Sequence, residues 1–257
     1  MAQLTIADDA AALARTAAER VTSRIEEAIA TRGSALVCLT GGSTPRALYS
    51  LLADGTRAWR ARIDWSHVHL FFGDERHVPP DHADSNYRMA FESLIQHVPI
   101  PASQVHRMRG ELADAAEAAH AYDAELHSSF NDVGRNSLIF DLLLLGIGDD
   151  AHVASIFPGS PLLEPLSLKR HLDEEPHVAA MWAAHLNVWR ITVTPTVIRA
   201  ASHVLLLTAG EAKAAAVHAA LEATEDVRRW PAQLLREADD KVEAIIDRAA
   251  AARLREI

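Results

Sequence analysis

Short apolar runs, each about one strand long and each followed by a helix-like stretch, constrain this chain more than any other feature. Ala35-Leu36-Val37-Cys38-Leu39, Ile139-Phe140-Asp141-Leu142-Leu143-Leu144-Leu145 and Val204-Leu205-Leu206-Leu207 are nearly free of polar interruption. A strand that alternates apolar and polar residues buries one face, whereas a continuous run buries both. Strands buried on both faces belong inside a parallel sheet, and parallel neighbours need a crossover, usually a helix, between them.

The intervening segments supply such helices. Residues 8–32 place Leu13, Ala17, Val21, Ile25 and Ala28 at helical spacing, with Asp8 or Asp9 as the cap and Gly33 as the stop. Further helices are expected at 86–97, 113–130, 195–201, Glu211–Leu221 and 231–236, with an Ala-rich one closing the chain. Strands are expected at 67–72, near 177–183, near 188–194 and at 242–246, and a loop from Gly73 to Ser85. The pattern predicts an α/β fold: one α/β/α Rossmann-like domain over residues 1–257, its mainly parallel sheet covered by helices on both faces.

Composition narrows the partners. With a net charge of −10, nonspecific attraction to nucleic acid or to an anionic membrane is disfavoured. Cys38 is the only cysteine, so neither an intrachain disulfide nor a cysteine-based metal site is expected. The first residues carry no basic stretch before an apolar core, and no apolar run approaches the roughly 20 residues of a membrane span. A cytoplasmic protein is expected, with a small-molecule ligand and no nucleic-acid or membrane partner, and a monomer rather than an obligate oligomer.

In open α/β sheets ligands bind beyond the carboxyl ends of the strands. Four loops in that position are unusually polar, at 40–44, 73–86, 146–152 and 209–213, and they should meet in one crevice. Thr40-Gly41-Gly42-Ser43-Thr44-Pro45 lets backbone approach a ligand, with Thr44 as cap and Pro45 opening the helix; it reads as an anion cradle or as an ordinary capped turn. It lacks the Gly-Lys-Ser/Thr of a nucleotide P-loop. Asp74-Glu75-Arg76 offers a guanidinium for phosphate oxygens and carboxylates for hydroxyls or other arginines, or else a surface ion cluster.

The third loop, Gly146-Ile147-Gly148-Asp149-Asp150-Ala151-His152, imitates a dinucleotide fingerprint, but Pro158, Gly159 and Pro161 stop any helix that follows. The loop instead sets His152 near the start of a short helix with Asp149 and Asp150 beside it. Imidazole titrates near neutrality and can take a proton from water, and a carboxylate can orient it. With 14 histidines in the chain, only the position after a buried strand singles out His152. Arg190, in Trp189-Arg190-Ile191-Thr192, and Lys213, in Gly210-Glu211-Ala212-Lys213, are candidate anion contacts, or else ordinary surface cations.

Taken in order, Leu39–Pro45, Gly73–Arg76 with Asp84-Ser85-Asn86-Tyr87-Arg88, Gly148–Pro158, Arg190–Thr192, Gly210–Lys213 and Asp247–Ala250 resemble the 6-phosphogluconolactonase family over nearly the whole chain. The resemblance implies a metal-independent, cofactor-free esterase acting on 6-phospho-D-glucono-1,5-lactone in the pentose phosphate pathway. It implies His152 as general base with Asp150 beside it. It also implies substrate contacts at Gly41, Gly42, Ser43, Thr44, Asp74, Arg76, Arg190 and Lys213, and backbone N–H groups near Gly41 or Gly148 for the oxyanion. Two departures stand out: Ala151 occupies a position that is usually glycine, and Val153 one that is usually threonine. The alternatives are a sugar-phosphate deaminase or isomerase of the same superfamily, whose loop typically reads Asn-Gly-His-Ile-Gly-Phe-Asn-Glu, and a noncatalytic sugar-phosphate sensor.

Overall fold

The apolar runs become the middle of a sheet. The computed structural model describes residues 3–164, 176–184 and 186–255. In it β2 (Ala35–Leu39), β5 (Leu142–Leu145) and β8 (Val204–Thr208) are buried at every position. With β1 (Gln3–Ala7), β3 (Val68–Phe72) and β9 (Val242–Asp247) they form a six-stranded sheet in the order β1-β9-β8-β5-β2-β3, every pair parallel.

Side-chain alternation then divides the core in two. Val37, Leu39, Leu70, Phe72, Leu144 and Leu207 face one layer, which includes α1 (Ala10–Arg32), α2 (Ser43–Ala53) and α4 (Asn86–Ser93). Leu36, Cys38, Phe71, Leu143, Leu206 and Ile246 face the other, with α5 (Ala115–Asp132), α6 (Pro195–Ala200) and α7 (Ala214–Leu221). From β2 the chain steps outward to β3, and from β5 it steps the opposite way to β8 and β9. The reversal opens a crevice beyond the ends of β2 and β5.

A second sheet was not foreseen. β4 (Asp74–Arg76), β7 (Val188–Val193) and β6 (Val178–Ala183) pair antiparallel in that order. β4 lies inside the segment read as a loop, because three charged residues carry no strand pattern and only pairing with distant β7 extends them. Gly73 joins the sheets: its N–H donates to Leu39 O at 2.8 Å and its carbonyl accepts from Val193 N at 2.8 Å.

Other boundaries moved for local reasons. β5 starts at Leu142 because Asp141, 2% exposed, turns its carboxylate to Leu36 N at 2.8 Å and to Arg32 and Arg135. The helix expected at 86–97 ends at Ser93 and continues as a 3-10 turn at Ile95–His97. A 3-10 turn at Glu211–Lys213 precedes α7, and a longer one spans Pro231–Lys241. The Ala-rich terminal stretch forms successive turns rather than a helix. There the Asp247 carboxylate accepts from Ala250 N at 2.8 Å and also from Gly210 N at 3.0 Å, tying the stretch to a neighbouring loop. β1 and the short α3 (Ala58–Arg62) had no counterpart in the sequence reading.

Candidate active site

All four polar loops reach one crevice of about 240 Å³, whose walls include Gly41, Asp74, Arg76, Gly148, His152 and Lys213. Gly42, Asn86 and Ala154 also line it, while Ser43, Thr44 and Arg190 do not.

On the first wall, Tyr49 is fully buried, and its hydroxyl accepts from Thr40 N at 3.0 Å and donates to Thr40 O at 2.9 Å. This fixes the chain where it leaves β2. Gly42, with φ 113°, sits at the cap position of α2, and no side chain caps the helix. The cap expected at Thr44 is therefore wrong: Ser43 and Thr44 are already helical and Pro45 is the third helical residue. The N–H groups of Ser43 and Thr44 are left without a side-chain partner at the positive end of the helix dipole. A side chain at residue 41 would overlap that of Asn86, so glycine is required there for close approach.

The second wall is held by buried hydrogen bonds. Glu75, 2% exposed, accepts from Asn86 N at 2.7 Å, Arg76 N at 2.8 Å, Tyr87 N at 2.8 Å and Ser85 Oγ at 2.9 Å. Burial pushes its carboxyl above the usual range against the pull of those donors. It organises the turn into α4 and does not face the crevice. Asn86 links the wall together, donating to Asp74 O at 2.9 Å and accepting from Arg76 Nη1 at 2.9 Å. Ser155 Oγ donates to Asp74 Oδ2 at 2.6 Å. Asn86 belongs to the Asp84–Arg88 motif, and the glycine facing it is the sequence signal of this linking position.

Arg76 and Arg190 occupy paired positions on β4 and β7. Both Nε groups are buried without a hydrogen-bond partner among the described residues. Burial, and next the charge of Arg76, lower the pKa of the Arg190 guanidinium. Two adjacent guanidiniums with unspent donors form a site that an anion would relieve. Lys213 Nζ meets Asp149 Oδ1 at 2.6 Å in an exposed pair, so its charge is engaged but accessible.

The third wall carries the imidazole of His152. His152 does not begin a helix. Ala151 (φ 62°) and Ala154 (φ 49°) take left-handed backbone conformations on either side of it, and Val153 bridges to Ile156. Right-handed helix cannot contain such residues. Gly148 N donates to His152 O at 2.9 Å, and any Cβ on Gly148 would overlap the imidazole. His152 Nδ1 lies 2.6 Å from Asp150 Oδ1, which also accepts from His152 N at 3.1 Å. Burial opposes ionisation of Asp150, but the hydrogen bonds and charge of His152 outweigh it and hold the carboxyl at about 2. A carboxylate on Nδ1 favours the tautomer with its proton there, leaving an acceptor lone pair on Nε2. Among the described residues Nε2 has no partner. Gly148 N is engaged with His152 O, whereas no backbone partner is seen for the N–H groups of Gly41 and Gly42 among the described residues.

The family model described as glucosamine-6-phosphate isomerases/6-phosphogluconolactonase matches residues 8–244. The chain is 37% identical over 218 residues to 6-phosphogluconolactonase of Synechocystis sp., covering 84% of this chain and 83% of that protein. It is 38% identical over 224 residues to 6-phosphogluconolactonase of Mycobacterium tuberculosis, covering 85% of each. Among solved structures, 6-phosphogluconolactonase from Trypanosoma cruzi superposes with a TM-score of 0.81 at 29% identity, over 100% of this chain and 98% of that one. A monomeric glucosamine-6-phosphate deaminase shares the fold, with a TM-score of 0.77 at 22% identity over 98% of this chain and 100% of that one.

Proposed function

The chain belongs to the glucosamine-6-phosphate isomerase/6-phosphogluconolactonase family, and on that basis we propose that it hydrolyses 6-phospho-D-glucono-1,5-lactone to 6-phosphogluconate in the pentose phosphate pathway. The observation that carries the assignment of roles is the facing of two opposed chemistries across one small crevice. An imidazole backed by a carboxylate stands on one wall, and a guanidinium on the other, with a second guanidinium beside it.

The phosphate lies toward Arg76, with Arg190 behind it and the open N–H groups of α2 and Lys213 nearby. Asp74, held by Asn86 and Ser155, is left to accept from a sugar hydroxyl. Anchoring the phosphate sets the lactone carbonyl before His152, so the reacting groups meet without a further orientational cost. His152 Nε2 takes a proton from water as the water oxygen adds to C1. The resulting oxyanion is met by N–H groups on the Gly41–Gly42 side. Collapse breaks the bond from C1 to the ring oxygen, which receives the proton from the imidazolium. Asp150 favours the imidazolium while it exists. No step draws on a metal or an organic cofactor.

The working unit proposed is a monomer. The single cysteine, Cys38, is buried, which suits a reducing compartment such as the cytoplasm. Among the described residues no helix is long and apolar enough to cross a membrane.

The test is hydrolysis of freshly generated lactone with the spontaneous rate subtracted. His152→Ala should lower kcat by about 100-fold or more with little change in KM. Wild-type turnover in that variant would remove His152 as the base.

A further inference from the structure

Away from the crevice, helix α5 presents Asp123 and His127 one turn apart on the same face. His177, immediately before β6, meets them from the small sheet. One donor atom from each residue lies within 4.8 Å of the other two. Asp123 Oδ2 is 3.7 Å from His127 Nε2, and Asp123 Oδ1 is 3.7 Å from His177 Nδ1.

Part of this arrangement has an ordinary explanation. Asp123 Oδ1 accepts from His177 N at 3.0 Å and from Val178 N at 3.2 Å, so the carboxylate caps the start of β6. That accounts for Asp123 and not for the imidazoles. At 3.7 Å neither ring is hydrogen-bonded to the carboxylate. The rings instead stand edge to face, 5.1 Å between centroids and 77° apart, each directing a nitrogen at the same carboxyl group. Donors bound to one ion through bonds of 2.0–2.1 Å lie roughly 3–4 Å from each other. Each imidazole stands 3.7 Å from its own carboxylate oxygen, and one donor from each residue lies within 4.8 Å of the others, so a small side-chain rotation closes the set. Two imidazoles and one carboxylate also make a borderline donor set, suited to zinc and its first-row neighbours rather than to magnesium or calcium.

We infer that Asp123, His127 and His177 bind one first-row transition-metal dication, zinc in the first instance, joining α5 to the small sheet at a place separate from the lactone site. The Asp123 carboxylate is pre-positioned by two backbone N–H groups, an outer arrangement of the kind that orients metal ligands. His127 is exposed and gives the ion a way in, while open coordination positions take water. The rung beside the site, Val178–Val193, lies three residues along the ladder from Met181–Arg190. The ion therefore braces the sheet that carries Arg190 without touching substrate.

The test uses the full chain, stripped with a chelator and titrated with zinc chloride by calorimetry, and with cobalt chloride followed by visible absorption. The expected result is one zinc per chain and a rise in Tm on loading. His127→Ala and Asp123→Asn should each weaken zinc by at least about tenfold, the loss that removal of an outer partner alone can produce. Asn at 123 still accepts from the two N–H groups, so that variant keeps the start of β6. Lactonase activity in both variants should stay at the wild-type level, and His152→Ala should bind zinc as the wild type does. No stoichiometric zinc in the wild type, unchanged affinity in both ligand variants, or loss of zinc in His152→Ala would each overturn the inference.

Discussion

The two walls of the crevice are built by opposite means. The wall that carries His152 is shaped by backbone: Ala151 and Ala154 at positive φ, a glycine pressed against the imidazole, and one carboxylate partner. The anion wall is shaped by side chains, with Glu75, Asn86, Asp74 and Ser155 linked through buried hydrogen bonds. A wall made of backbone turns should tolerate side-chain changes that leave φ unaltered. A wall made of buried polar contacts should fail when any one of them is lost, because the remaining donors are left unsatisfied in a dry setting.

The largest expected effect tests that contrast directly. Glu75→Ala strands three backbone N–H groups and one hydroxyl, and should cost about 3 kcal/mol or more in urea unfolding. A loss under about 1 kcal/mol would mean that the anion wall is not held as described. Next, Arg76→Ala should reduce kcat/KM for the phosphorylated lactone by about 10- to 100-fold, mostly through KM. An equal loss with the unphosphorylated lactone would place Arg76 away from the phosphate.

Asp150→Asn is expected to lower kcat by about tenfold, because the imidazolium loses its counter-charge. Asp150 is held at about 2, so its favourable pairing is complete above the ordinary carboxylate range and is lost only as pH falls toward the folded value. The substitution should thus reduce the plateau of the pH–rate profile without deleting an ionisation between about pH 4 and 9. Disappearance of a limb within that window would contradict the assignment. The smallest effect is expected at Ala151→Gly. Relief of left-handed strain, about 1 kcal/mol, is offset by loss of a buried methyl, about 0.8 kcal/mol. Stability and turnover should both stay near wild type, and a gain above about 2 kcal/mol would show that the loop is far more strained than its backbone indicates.

How far the sequence could be read follows from how local each feature is. β2, β5 and β8 were legible because burial on both faces writes a continuous apolar run. The Asp9 cap and Gly33 stop of α1 were legible because caps act within a few residues: Asp9 Oδ1 accepts from Ala12 N at 2.7 Å, and Gly33 has φ 79°. β4 was not, since Asp74-Glu75-Arg76 becomes a strand only through a partner more than 100 residues away. β1 is half-exposed at the sheet's edge, with too little patterning to announce itself. The Ala-rich end reads as helix by propensity but forms successive turns, with the Asp247 carboxylate shared between Ala250 N and Gly210 N. At the site, the residue types reaching the crevice were readable from the strand-end rule. The left-handed conformation at Ala151 and the linking position of Asn86 depend on contacts that no local pattern records.

Gly73 deserves a last consequence. Its N–H is bonded to the end of β2 in the large sheet, and its carbonyl to the strand before α6. The two sheets are thereby joined through the backbone of one residue, which precedes Asp74 of the crevice wall in the chain. The start of β4, and with it Asp74 and Arg76, is therefore placed by hydrogen bonds to both sheets. Both bonds that fix Gly73 form as the chain folds, so the cost of ordering that junction falls on folding rather than on binding.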